Sequence, residues 1–309
     1  MTSTASIHID KTSWAGWPNC YRISNGEVEM IVTADIGPRV MRFGYVGGQN
    51  LFWVQKETEG KSGEPAWVAR GGHRIWVGPE DIRYTYPPDN SEIQVDLKGD
   101  VLIATQPVEN ETRIQKQIEI HLAPTGTGAT VIHRLINQGN MPLRYAAWAL
   151  SMMAPGGHGV TGFPPRGTHP EMLQPTNPLI MWAFSDLSDP RWTFTRKYLV
   201  LRSEPGNTTP TKLAHHNPKT FGAYFLNGEM FLKQYDAAPR EEHPDMGSSY
   251  ETFTNADFLE METLGPLTQV EPGGTLEHVE RWSLHRNMTP SAWTDDELDR
   301  ILLPVLASK

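Results

Sequence analysis

The segment TRIQKQIEIHL, residues 112–122, alternates with a period of two: Ile114, Ile118, Ile120 and Leu122 share one face, and Arg113, Gln115, Gln117, Glu119 and His121 share the other. A helix would scatter these apolar residues around its circumference, so the segment is expected to be a half-buried strand. Comparable runs occupy residues 27–33, 40–46, 93–97, 101–105, 130–136, 143–150, 198–202, 221–225, 229–235, 257–261 and 277–284. Lys98-Gly99-Asp100 is expected to turn one hairpin and Asn137-Gln138-Gly139-Asn140 another. Residues 154–190, dense in Pro and Gly, read as long ordered loops. One helix is expected at the C-terminus, opened by a Thr294/Glu297 capping box, striped by Leu298, Ile301 and Leu302, and ended by Pro304. Roughly fifteen strands and a single helix imply an all-β sandwich of two sheets packed face to face. With no repeat and no linker-like composition shift, residues 1–309 are read as one domain.

Composition narrows the function. With 36 acidic against 27 basic side chains, the formal charge of -9 repels nucleic acid and anionic membranes, leaving neutral or cationic small molecules as the expected partners. The single cysteine, Cys20, forms no internal disulfide and reads as a small buried hydrophobe. The N-terminus lacks a secretory signal and no window approaches a membrane span, so a soluble cytoplasmic protein is expected. No phosphate-cradling glycine loop, nucleophile elbow or metal-ligand spacing occurs, and neither a cofactor nor a metal is called for.

Chemistry-bearing residues concentrate in three places. In DFLEMETLGPL, residues 257–267, Glu260 and Glu262 project to one strand face while Leu259 and Met261 face the other. Two carboxylates so close resist simultaneous ionisation, which raises one pKa into the range of a general acid or base. A solvated outer face is the alternative. In RGGHRIWVGPED, residues 70–81, a glycine pair precedes His73, Arg74, Trp76, Glu80 and Asp81. Histidine exchanges protons near neutrality, arginine donates several hydrogen bonds, and Trp76 offers a face to a sugar ring; a structural turn is the competing reading. HVERW aligns His278, Glu280 and Trp282, too few ligands for a metal site and expected to form a polar sheet face. His133 reads as a core histidine, His215-His216 as an exposed pair. Ten tryptophans, among them Trp14, Trp17, Trp53, Trp67, Trp182 and Trp192 beside polar loop residues, suit carbohydrate faces or core packing.

Several segments resemble the galactose mutarotase-like proteins of the aldose 1-epimerase superfamily. VTADIGPRVMRFGYVGGQNLFW, residues 32–53, is similar to that superfamily's opening strands, and VIHRLINQGNMPLRYAAWAL, residues 131–150, to its central pair. FLEMETLGP is similar to the late strand that carries the catalytic glutamate. GGHR-x-W, DLSDPRW and LE-x-ETLGPL together resemble an uncharacterised, DUF4380-like branch. The resemblance implies a β-supersandwich with a sugar cleft, in which Glu260 takes the proton of the anomeric hydroxyl and Glu262 neighbours it. It also implies that His73 is the first, substrate-positioning histidine. The superfamily's second histidine falls where this chain has Ser151-Met152-Met153-Ala154-Pro155; His158, a few residues on, is the candidate substitute, and the acid is expected to be His73 or His158. Arg74, Lys212 and Asp245, polar positions beside turns in the branch pattern, would contact sugar hydroxyls. The expected function is thus a carbohydrate-active protein, of epimerase or mutarotase type. The alternatives are a non-catalytic sugar-binding module and a lyase or hydrolase on an acidic sugar held by Arg74 and Arg39, hydrolysis needing a distant second carboxylate such as Glu80.

Overall fold

The computed structural model describes residues 6–307, and within them the regular secondary structure is almost wholly antiparallel sheet. An eleven-stranded sheet runs, neighbour to neighbour, through His8–Trp14, Trp17–Ser24, Val28–Thr33, Val40–Tyr45, His73–Gly78, Leu143–Met153, Leu259–Leu264, Tyr250–Thr254, Thr211–His215 and Leu179–Met181, with Thr268–Val270 pairing the start of Leu143–Met153. A ten-stranded sheet runs through Trp192–Phe194, Tyr198–Arg202, His158–Gly162, Lys219–Leu226, Glu229–Asp236, Thr275–Arg286, Ala129–Asn137, Ile114–Leu122, Val101–Thr105 and Gln94–Lys98. The main core lies between them, with Ile114, Ile118 and Ile120 from one sheet meeting Val77, Ala149 and Met261 from the other. The expected all-β sandwich is what forms, because period-two apolar faces are buried by stacking two sheets. No helix among the described residues is long and apolar enough to cross a membrane.

Three local expectations are corrected. Gly99 and Asp100 do join paired strands, Lys98 lying opposite Val101, but residues 137–140 close no hairpin. Ala129–Asn137 and Leu143–Met153 belong to different sheets, so this segment is a crossover: Asn137 donates to the carbonyls of Met141 and Val270 rather than turning a ladder. Residues 154–190 are not loop throughout, since His158–Gly162 and Leu179–Met181 are strands. The helix Asp295–Ala307 buries Leu298, Ile301 and Leu302 against Val160, Val200, Ala223 and Leu232 on the outer face of the ten-stranded sheet. It continues through Pro304, whose fixed φ is compatible with a helix and whose missing N–H forfeits one hydrogen bond in the last turn. At its start Glu297 accepts from the Ser291 N–H at 2.8 Å.

Gly71 and Gly72 set how the strand His73–Gly78 enters its sheet. Both adopt left-handed backbone, φ +93° and +74°, and a β-carbon would lie 2.1 Å from the Trp53 carbonyl oxygen at Gly71 and 2.6 Å from that of Val40 at Gly72.

Candidate functional site

Strand parity sorts the polar residues of the central strands into two groups. His73, Ser151 and Thr263 point between the sheets, whereas Arg74, Trp76, Trp148, Leu150, Glu260 and Glu262 point from the same strands to the outer face of the eleven-stranded sheet. The outer group is ordered by register. Arg74, Leu150, Glu262 and Glu251 form one cross-strand row; Met152, Glu260, Phe253 and Lys212 form the next.

Buried ion pairs hold this outer group. Lys212 Nζ lies 2.6 Å from Glu251 Oε2 and 3.0 Å from Glu262 Oε2, and the latter oxygen also accepts from Trp148 Nε1 at 2.8 Å. The Arg74 guanidinium packs 4.1 Å over Trp76 and 5.2 Å over Trp67, with Nη2 3.5 Å from Glu260 Oε1. Lys212 lies 4.8 Å over Trp148 and 4.6 Å over Trp182. Tyr86, edge-on to Trp67 and Trp76, donates its hydroxyl to Glu80. Glu262 and Glu251 are sealed from solvent, but the Glu260 side chain stays 12% exposed.

Burial, reinforced by Glu262 and opposed by Arg74 and Lys212, pushes the Glu260 carboxyl up to about 7. Burial lifts Glu251 well above the carboxylate range against the pull of Lys212, and raises Asp245 as well. Burial also lowers Arg74 to about 10. Lys212 is held above the usual lysine value: burial pulls it down, but Glu251 and Glu262 outweigh that. Several buried atoms here have no hydrogen-bond partner: Arg74 Nε, Trp67 Nε1 and Glu262 Oε1.

The inner group is a different kind of network. His73 Nδ1 meets Ser151 Oγ at 2.8 Å, His73 Nε2 meets His133 Nε2 at 2.6 Å, and His133 Nδ1 meets the His278 carbonyl at 2.9 Å. Assigning Ser151 as the donor at one end gives every member a consistent neutral tautomer, each N–H or O–H donating along the chain to that carbonyl. Beside it Glu280 accepts from Trp282 Nε1 at 2.8 Å and from Thr263 Oγ1 at 2.5 Å, with Lys233 Nζ 3.0 Å from Oε1. Burial depresses His73, His133 and His278, the last to about 3. Glu280 sits far below the usual carboxylate range, burial being outweighed by Lys233 and the histidines. His73, His133 and Glu280 gather closely enough to ligate an ion. The Lys233 ammonium already supplies the cation there, and nitrogens 2.6 Å apart are closer than a shared zinc at about 2.0–2.1 Å from each in tetrahedral geometry would set them.

The expected site residues therefore fall on three surfaces. Glu260, Glu262, Arg74 and Lys212 meet on the outer face; Glu80 and Asp245 stand beside them, Glu80 acting electrostatically on both Glu260 and Asp245. Trp76, expected to face a sugar, is covered by Arg74, Trp67 and Tyr86, which leaves Trp67, Tyr86, Trp182 and Phe253 among the partly exposed rings. His73 lies on the opposite side of its sheet from Glu260. His158 lies farther still, stacked 4.2 Å from Trp293 beside the C-terminal helix and lowered by burial to about 4. Arg39, expected to hold a substrate carboxylate, is fully buried on Asp89 at 2.7 Å and on the carbonyls of Ala69 and Gly71. His278 and Glu280 face the interior rather than a polar surface, and His215 and His216 are buried, not exposed. Glu251 and Tyr86 escaped the sequence reading. Glu251 had a signal in the alternation of YETFT, but its significance depends on facing Glu262 across two strands.

No family model matches the chain, and no curated protein matches it. Solved structures do. The Slr1438 protein of Synechocystis sp. PCC 6803 superposes with a TM-score of 0.57 at 12% identity, covering 89% of this chain and 99% of its own. A galactose mutarotase-like protein from Lactobacillus casei gives 0.53 at 13%, covering 86% and 100%, and another from Clostridium acetobutylicum gives 0.52 at 11%, covering 91% and 99%. At such identities likeness speaks for architecture alone: two antiparallel sheets and one short C-terminal helix, the fold of the galactose mutarotase-like proteins.

Proposed function

We propose that the protein binds a sugar or sugar derivative on the outer face of the eleven-stranded sheet, with Glu260 exchanging a proton with a ligand hydroxyl. The observation that carries this reading is Glu260 itself, a carboxyl near neutral pKa that keeps an opening to solvent on a floor where its neighbours are sealed. A group titrating near 7 is divided between a form that accepts a proton and a form that donates one, the condition general acid–base work requires. Arg74, 3.5 Å away, steadies the carboxylate and donates to an oxygen that gains charge. Trp67, Tyr86 and Trp182 offer ring faces for the apolar side of a sugar. Lys212, clamped by Glu251 and Glu262, fixes the floor rather than reaching the ligand.

In this reading the epimerase-type activity runs on Glu260 without His73 or His158. The experiment is to follow anomer interconversion of a monosaccharide panel by NMR with the wild type, Glu260→Gln and His73→Ala. Loss of roughly 10²–10⁴ in rate on Glu260→Gln, and a far smaller change per folded molecule on His73→Ala, is the expected result. An unchanged rate in Glu260→Gln sinks the catalytic role.

A second reading, a non-catalytic sugar-binding module, is favoured by the location of His73 and His158 away from Glu260. Saturable binding with no interconversion above the buffer rate decides for it. The hydrolase reading draws no support from Glu260 and Glu262, which share one strand face and cannot flank a glycosidic bond, and the Arg39 clamp it invoked is committed to Asp89.

A further inference from the structure

The proposed sugar site has a charge imbalance that bears on what it takes. Glu80, Asp245, Glu251, Glu260 and Glu262 supply five carboxyl groups, while Arg74 and Lys212 are the cations set among them, both almost fully buried and both already paired with acids. The charged groups that solvent reaches are thus acids: Glu80 is exposed, Asp245 half-buried, and Glu260 open at its tip. Each acts electrostatically on another of the set. Packing acids at this density without matching cations suppresses their ionisation.

A second observation does not depend on the acid count. Glu262 is 0% exposed, yet its Oε1 lacks a hydrogen-bond partner, an arrangement that costs free energy in a closed protein. The set is also the wrong shape for a metal ion. Among the described residues the group of three or more ligands gathered tightly enough for one is His73, His133 and Glu280, on the other side of the sheet. The half-exposed rings of Trp67, Tyr86 and Trp182 beside these acids complete an aromatic and anionic surround, the combination that favours an organic ammonium through its charge and through the ring faces.

We propose that the site takes a ligand bearing a positively charged amine, an amino sugar rather than a neutral or acidic one, with the ammonium against Glu260, Glu80 and Asp245. The inference rests on the sugar reading above and adds the charge of the ligand to it. An ammonium supplies both the missing countercharge and three donors; a hydroxyl supplies a donor alone; a carboxylate meets like charge.

The test is titration calorimetry of the full chain at pH 7 and low salt with D-glucosamine and D-galactosamine, against D-glucose, D-galactose and D-glucuronate. Amino sugars are expected to bind about tenfold or more tightly than their neutral counterparts, with glucuronate weakest. Glu80→Gln and Glu260→Gln should each shrink that ratio, and Glu80 is exposed, so its substitution does not endanger folding. Neutral sugars binding as well as or better than the amines overturns the amine proposal and leaves the sugar site standing. Binding of none of the five overturns both.

Discussion

The two faces of the strand His73–Gly78 carry polar networks of similar density and opposite completeness. Between the sheets, Ser151, His73, His133 and the His278 carbonyl pass hydrogen bonds in sequence, and Glu280 is met by Lys233, Trp282 and Thr263; His278 Nδ1 is the atom of this group left without a partner. On the outer face, Arg74, Trp67 and Glu262 each keep an unpaired buried atom, and Glu260 keeps an opening. A network whose donors and acceptors are matched has no vacancy for a ligand, whereas one with orphaned atoms at a solvent opening gains by binding something. His73, expected to position the substrate, sits in the first kind; Glu260 sits in the second.

Acid separates the two faces most forcefully. The inner histidines are held neutral, with folded pKa values below the unfolded value of about 6.5, so the stability they contribute is present above that pH and is lost as pH falls toward the folded values. His278 alone, displaced to about 3, accounts for roughly 4 kcal/mol across that window, and the other two add to it. Urea unfolding monitored from pH 7 to pH 4 should show the decline; a flat profile means the histidines are not buried neutral. Next in size, Lys233→Ala strands the Glu280 charge between the sheets and should cost roughly 3–5 kcal/mol in the same assay, while Lys233→Met with Glu280→Leu restores much of it. Equal losses in the single and double variants would show that packing, not charge, is at stake.

The outer face should answer pH in the opposite direction. Glu260 has its pKa raised from about 4.5 to about 7, so the folded form is favoured at low pH and loses up to about 3 kcal/mol as pH rises through that interval. Glu260→Gln should remove this slope, seen as a gain over wild type that grows between pH 5 and pH 8. Smallest of all, Trp67→Phe should leave the unfolding midpoint within about 0.5 kcal/mol and weaken ligand binding by about three- to tenfold, through a smaller ring face and the loss of the unpaired indole N–H. A change in stability without a change in affinity would return Trp67 to the scaffold.

Much of this arrangement is legible in the sequence, because alternation is a local property. The apolar face of residues 114–122 and the shared face of Glu260 and Glu262 follow from a period of two alone. What alternation cannot say is which face is interior when both are polar. His278, Glu280 and Trp282 share a face as their spacing requires, but that face is buried, since the partners that make it tolerable, Lys233, Thr263 and His133, come from other strands. The same holds for Lys212, brought to Glu251 and Glu262 by register between its own strand and strands that begin some forty residues later in sequence. RGGHRIW shows the other limit. His73 and Arg74, adjacent in sequence, point to opposite sides of the sheet because neighbours on a strand part company, a fact available from the sequence once a strand is assumed.

The glycine pair ahead of that strand has an evolutionary consequence. With Gly71 and Gly72 pressed against the carbonyls of Trp53 and Val40, the entry point leaves no slack, so inserting or deleting one residue there would exchange the sides of His73 and Arg74 and ruin both networks together. Point substitution is the route that remains open: outward residues can be exchanged one at a time while the inward set holds still. A lineage carrying this fold is thus free to drift in ligand preference by single codon changes, and is penalised for small indels at this spot even though the segment is a loop, where length changes are usually tolerated.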